Sequence, residues 1–116
     1  LLNSKEDKII AIRTVKNYPQ AHNHLLIGKL LEFNGEFLRV DCRTFHFGAS
    51  VTGPKTIKQG AKNIRIIPWA RVEIINELSS DFDYAQAELE NDDAYRIMLR
   101  DGRNSYVIHA SYNERY

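Results

Sequence analysis

Between Glu36 and Phe47, in the stretch "EFLRVDCRTFHF", Leu38, Val40 and Cys42 alternate with Phe37, Arg39, Asp41 and Arg43. One apolar face and one largely charged face at a period of two is what a half-buried β-strand requires. The run is long for a strand, and a long strand that changes its facing suits the bend of a small barrel. Upstream, "LLIGKLLEF" (Leu25–Phe33) reads as a strand of mixed periodicity. Asn34-Gly35 then separates the two apolar runs, and this dipeptide predicts a tight hairpin because both residues tolerate positive φ. The first apolar stretch, "DKIIAIRTV" (Asp7–Val15), has two readings. Its four β-branched aliphatics, Ile9, Ile10, Ile12 and Val15, favour a strand. Ser4-x-x-Asp7 with Ile9, Ile12 and Val15 three apart would instead cap and line a helix. "KNYPQAHNH", with Pro19, reads as a loop.

Downstream, "IRIIPWARVEIINEL" (Ile64–Leu78) alternates, breaks at Pro68-Trp69, and alternates again. This predicts two strands with a sharp turn between them, since proline fixes φ and offers no N–H to a ladder. "GASVTGPKTIKQGAKN" (Gly48–Asn63) reads as an exposed, basic, mobile loop or hairpin tip. Asn76–Asp93 is rich in acids and reads as a linker, or as a short helix around Tyr84–Leu89 behind a Ser80 or Asp81 cap. "AYRIMLRDGRNSYVIHA" predicts a hairpin, with Arg96–Leu99 and Tyr106–Ile108 flanking Asp101-Gly102. At least six short strands and little helix point to an all-β fold. A small, strongly bent antiparallel barrel is the expected form, because closure removes open edges.

Composition narrows the picture only slightly. At 116 residues and 43% hydrophobic the chain fits one domain with a core of its own. No apolar run approaches a membrane span, and "LLNSKEDK" does not read as a signal peptide. A single cysteine, Cys42, excludes an internal disulfide framework and suits a reducing, cytoplasmic setting. The net charge of +1 hides an asymmetry: residues 1–78 carry 12 Lys and Arg against 7 Asp and Glu, and residues 79–116 carry 4 against 8. A basic body with an acidic C-terminal segment is compatible with nucleic-acid contact, though more often such an asymmetry is an ordinary solvated surface.

The order of elements and two short motifs resemble the Sm and Sm-like family over about residues 8–78. The first motif of that family is matched in spacing by Gly28, Leu30 and Phe33, with Asn34 at its aspartate position. Past that point the register slips, so that Phe37 or Leu38 takes the methionine place and Leu38 or Arg39 the asparagine place. The second motif is matched by Ile67 and Val72, with Pro68 and Trp69 where the family has arginine and glycine. The resemblance implies an SH3-like, five-stranded bent antiparallel barrel over residues 1–78. Residues 79–116 would form an acidic connection and a C-terminal β-hairpin packed on the same domain. It also implies a homo-oligomeric ring, closed by pairing the fifth strand of one copy with the fourth of the next. That pairing places Ile64, Ile66, Val72 and Ile74 at the interface. The resemblance further implies single-stranded RNA as partner.

The candidate chemistry follows. Arg39, Arg43, Arg65 and Arg71 supply guanidinium groups suited to phosphates, and Lys62, with Lys55 and Lys58, adds positive charge on the loop. Asn34 and Trp69 stand at turns that lie near the pore in the family. Trp69 either stacks on a base or packs at the barrel end or a subunit contact. His22, His24, His46, His109 and Cys42 show no metal-ligand spacing, and no metal or cofactor is expected. Asp81/Asp83 and Asp92/Asp93 read as solvated carboxylates rather than as an acid/base pair. No phosphate loop, nucleophile elbow or zinc helix is present. The expectation is a non-enzymatic protein. It would be an RNA-binding ring, a structural or protein-interaction module on the same barrel, or a peptide-binding adaptor with a groove of exposed Phe45, Phe47 and Tyr106.

Overall fold

The computed structural model describes residues 8–18, 21–48, 51–91 and 96–110. Ser4, Asp7, Pro19, Asp92 and Asp93 lie outside them. The described chain is mainly β, with strands β1 (Lys8–Thr14), β2 (Asn23–Phe33), β3 (Phe37–Phe47), β4 (Lys58–Gln59), β5 (Asn63–Pro68), β6 (Val72–Leu78), β7 (Glu88–Asn91), β8 (Arg96–Arg100) and β9 (Ser105–Ala110). Two single-turn 3-10 helices, Pro54–Thr56 and Trp69–Arg71, are the helical content. Of the two readings of the first apolar stretch, the strand is the one found.

Six strands form one antiparallel sheet in which β6, β1, β2 and β3 lie side by side, and both β4 and β5 pair with the far edge of β3. β5 takes Phe37–Cys42 of β3, and β4 takes Phe45 and His46. Pro68-Trp69 ends β5 and carries the chain to the opposite edge, where β6 pairs with β1. β5 and β6 are not hydrogen-bonded to each other, so the sheet is open among the described residues. Strands β7, β8 and β9 form a second antiparallel sheet.

The first sheet is covered on both faces, which accounts for the mixed periodicity of β1 and β2. Strands buried on both sides lose the polar half of the alternation. Ile9, Ala11, Leu25, Ile27, Phe45 and Phe47 point one way, to a core shared with Phe82, Ala87, Ile97, Leu99 and Ile108 of the C-terminal region. Ile10, Ile12, Leu26, Leu38, Val40 and Cys42 point the other way, to a core that includes Ile67 with Val72 and Ile75 against it. The alternation of β3 is unbroken. Its outer face runs from Arg39, Asp41 and Arg43 to Phe45 and Phe47, polar where the connection crosses and aromatic beneath the core. At Gly28 a Cβ would overlap the Asp41 carbonyl oxygen and the Cys42 Cα, so β2 passes β3 at a distance only glycine allows.

Three local expectations need correction. The Asn34-Gly35 hairpin forms, but Gly102 (φ 98°) is the one described glycine with positive φ. The turn is instead held by the Asn34 side chain, whose Oδ1 accepts from Glu36 N at 2.7 Å and Phe37 N at 3.0 Å. The segment Tyr84–Leu89 is not a helix: turns over Tyr84–Gln86 lead into β7, with the Tyr84 and Ala87 carbonyls accepting from Arg43. The stretch Gly48–Asn63 is not wholly exposed, since Val51 and Ile57 are buried in the shared core.

Candidate nucleic-acid and assembly surfaces

Arg39, Arg43, Lys62, Arg65 and Arg71 each have a definite place. Arg43, on the outer face of β3, sends Nη1 to the carbonyls of Tyr84 (2.8 Å) and Ala87 (2.6 Å) and Nη2 to Gln59 Oε1 (2.7 Å). Its guanidinium also lies over the Phe45 ring, 5.2 Å from the centroid, and burial lowers its pKa. Arg43 is thus a clasp that ties the C-terminal connection to the sheet. Beside it Asp41 accepts from Lys62 Nζ and Tyr84 Oη, both at 2.8 Å. The Lys62 hydrogen bond is the main reason the Asp41 carboxyl sits below its usual range. Arg39 pairs with Glu32 at 2.8 Å. The structure therefore does not gather Arg39, Arg43 and Lys62 into a free basic band.

Asn34 and Trp69 do come together. The Trp69 indole Nε1 donates to the Asn34 carbonyl at 2.6 Å, and Trp69 N donates to Glu36 O at 3.2 Å. The tryptophan thereby locks the turn after β5 to the β2–β3 turn. Its ring, 37% exposed, and that of Phe33, 39% exposed, border an apolar hollow of about 230 Å³ floored by Ile10, Leu30, Leu38 and Ile75. The Lys8–Glu77 ion pair (2.9 Å) belongs to the same rim.

Arg65 and Arg71 meet elsewhere, at a second hollow of about 360 Å³ lined also by Thr14, His24, Leu26, Ile66, Ile67 and Pro68. Arg65 Nη1 donates to Cys42 O at 2.9 Å and Nη2 to Ala61 O at 3.3 Å. Arg71 Nη1 reaches Asn17 Oδ1 at 3.3 Å. The His24 ring stacks on His46 with centroids 3.9 Å apart, and His24 Nε2 is buried with no hydrogen-bond partner among the described residues. Burial, followed by the nearby His46, Arg65 and Arg71, lowers the His24 pKa to about 4, and His46 is lowered in the same direction, again chiefly by burial. Sequence reasoning weighed His24 only as a metal ligand. Its register opposite His46 on β3 was the signal for its place in this hollow. Among the described residues no group of three or more His, Cys, Asp or Glu is placed to hold a metal ion.

The assembly candidates divide. Ile64 (58% exposed) and Ile66 (62%) project from β5, and Ile74 (50%) from β6. Both strands have an outer edge to which no described strand is hydrogen-bonded, and β7–β9 do not occupy it. Val72, by contrast, packs against the inner core, since the register shift near Thr14 turns it inward. Phe45 and Phe47 are buried, and Tyr106 accepts from Asn76 Nδ2 at 2.9 Å. These three therefore form no exposed aromatic groove of the kind an adaptor would need. No helix among the described residues is long and apolar enough to cross a membrane. A scan of protein-family models finds no match to the chain, and neither curated proteins nor solved structures match it.

Proposed function

We propose that this chain is a non-enzymatic, Sm-like assembly module of the cytoplasm. Its SH3-type barrel is completed by other copies of itself, in a ring built by pairing β5 of one copy with β6 of the next. One observation carries the reading: β5 and β6 are opposite open edges of one curled sheet, and each bears exposed isoleucine. Open edges pair, and a repeated head-to-tail contact closes when its rotation allows. The reading extends the family resemblance of Gly28, Leu30, Phe33, Ile67 and Val72. It gives little weight to RNA contact through Arg39, Arg43 and Lys62, because those charges already have protein partners. Light scattering across a concentration series tests it. The expected result is a discrete multiple of the chain mass that falls to the monomer in Ile66→Lys and in Ile74→Lys. A wild-type monomer at every concentration would remove the proposal.

A second reading, single-stranded RNA binding, is favoured by one feature: Trp69 and Phe33 are both partly exposed and border one hollow. Stacking there would contribute roughly 1–3 kcal/mol per base. Fluorescence anisotropy with a labelled oligonucleotide should then show binding that weakens with salt and is lost in Trp69→Ala. Equal anisotropy with and without protein at low salt would eliminate this reading.

A further inference from the structure

The hollow at Arg65, Arg71 and His24 shares Ile66 with the β5 edge of the assembly proposed above, but its chemistry is unlike the rest of the surface. Most other described cations with assigned partners meet a carboxylate: Lys8 with Glu77, Arg39 with Glu32, Lys62 with Asp41, Arg100 with Glu90 and Arg103 with Asp81. Arg65 and Arg71 do not. Arg65 is held by main-chain carbonyls and Arg71 by one amide oxygen. Two guanidinium groups thus border one cavity with no counter-charge among the described residues.

Three further observations point to a ligand. His24 Nε2 is buried at the same cavity and has no partner among the described residues, which costs free energy unless something completes it. The imidazole is held neutral at ordinary pH by burial, then by the neighbouring His46 and by the two arginines, so it can add a hydrogen bond without a further positive charge. Leu26, Ile67 and Pro68 supply apolar lining next to the charged groups. The volume, about 360 Å³, is at the small end of the range for ligand pockets.

We propose that this cavity binds a compact organic anion: a carboxylate or phosphate monoester on an apolar or planar body. Arg65 and Arg71 hold the anionic head, which guanidinium groups match with paired N–H donors. His24 Nε2 bonds a polar atom of the ligand, and Leu26, Ile67 and Pro68 cover the body.

The test is an NMR titration of the full chain, isotope-labelled, with benzoate, phenyl phosphate, inorganic phosphate and a single-stranded oligonucleotide in separate arms. Benzoate or phenyl phosphate should produce saturable shifts at Thr14, His24, Leu26 and Ile67, and whichever binds tighter distinguishes carboxylate from phosphate. Inorganic phosphate should bind more weakly, because it lacks the body. Arg71→Gln should weaken binding by about tenfold or more, while Arg103→Gln, on the C-terminal hairpin, leaves it unchanged. Arg71 makes one long contact at the surface, and an otherwise superimposable spectrum establishes that the variant is folded. Three results overturn the proposal. The first is no saturable shift with either organic anion at millimolar concentration. The second is equal loss in the two arginine variants. The third is an oligonucleotide that displaces the small anions with an affinity that grows with its length, which would make the hollow part of a nucleic-acid track.

Discussion

The two faces of the first sheet are built from the same strands and treated in opposite ways. The outer face is covered by residues 79–91 and 96–110. Phe82, Ala87, Ile97, Leu99 and Ile108 close its core, and Arg43 and Asp41 fasten the connection across it. Among the described residues the inner face is enclosed by the curl of its own sheet, which stops short of closure at β5 and β6. The hollow bordered by Arg65 and Arg71 opens on that unfinished side, while Ile64, Ile66 and Ile74 project from the two edges on the outer-face side, opposite Asp41, Arg39 and Arg13. The difference teaches that the C-terminal region closes one face of the sheet and leaves its two outer edges uncovered among the described residues. Open edges are a hazard unless something uses them.

Unequal sensitivity of the two faces to truncation is the largest expected effect. Leu99→Ala, at a fully buried position of the sealed face, should cost about 3–5 kcal/mol, and Ile67→Ala, 7% exposed on the unfinished side, about 2 kcal/mol. Urea unfolding reads both, and equal costs would break the contrast between the faces. The clasp comes next. Arg43→Met leaves the Tyr84 and Ala87 carbonyls without their donor and should cost about 2–3 kcal/mol, with faster amide exchange confined to residues 79–91.

The pH response is smaller. His24 has a folded pKa of about 4, below the roughly 6.5 of a free imidazole. Between these values the unfolded chain takes up the proton first, so stability is full above about pH 6.5 and is lost as pH falls towards 4. After allowance for solvent screening the loss is about 1–2 kcal/mol. It appears as the difference in urea midpoint shift between wild type and His24→Gln, and identical shifts would contradict it. The smallest effect belongs to Arg39→Gln, which breaks only the exposed pair with Glu32. It should change stability by less than about 1 kcal/mol and leave RNA affinity, if any, unaltered.

The parts legible in the sequence were those whose pattern reports on one neighbour at a time. β3 showed its alternation because half of its outer face is polar. The pair β5 and β6 was legible from Pro68-Trp69, where ladder pairing must stop. The hairpin of β8 and β9 was legible from Asp101-Gly102. There Asp101 accepts from the backbone N–H groups of Arg103, Asn104 and Asp83, contacts that hold its carboxyl well below the usual range. β7 was hidden because "ELEN" has one inward residue, Leu89, among polar ones. Val51 and Ile57 were hidden as single apolar residues in a glycine- and lysine-rich stretch. For the candidate sites, residue type was visible and partnership was not. Arg43 finds its acceptors 41 and 44 residues away, a distance no local spacing encodes. The hollow at His24 likewise draws on β1, β2, β5 and the turn after it, which meet only in the folded chain.

Hydrogen exchange at the outward-facing amides of β5 and β6 tests the unfinished side most directly. If these edges pair between copies, those amides exchange slowly, and their protection disappears on dilution or in Ile66→Lys while β1, β2 and β3 stay protected. Fast exchange at both edges in concentrated wild-type protein would contradict the account.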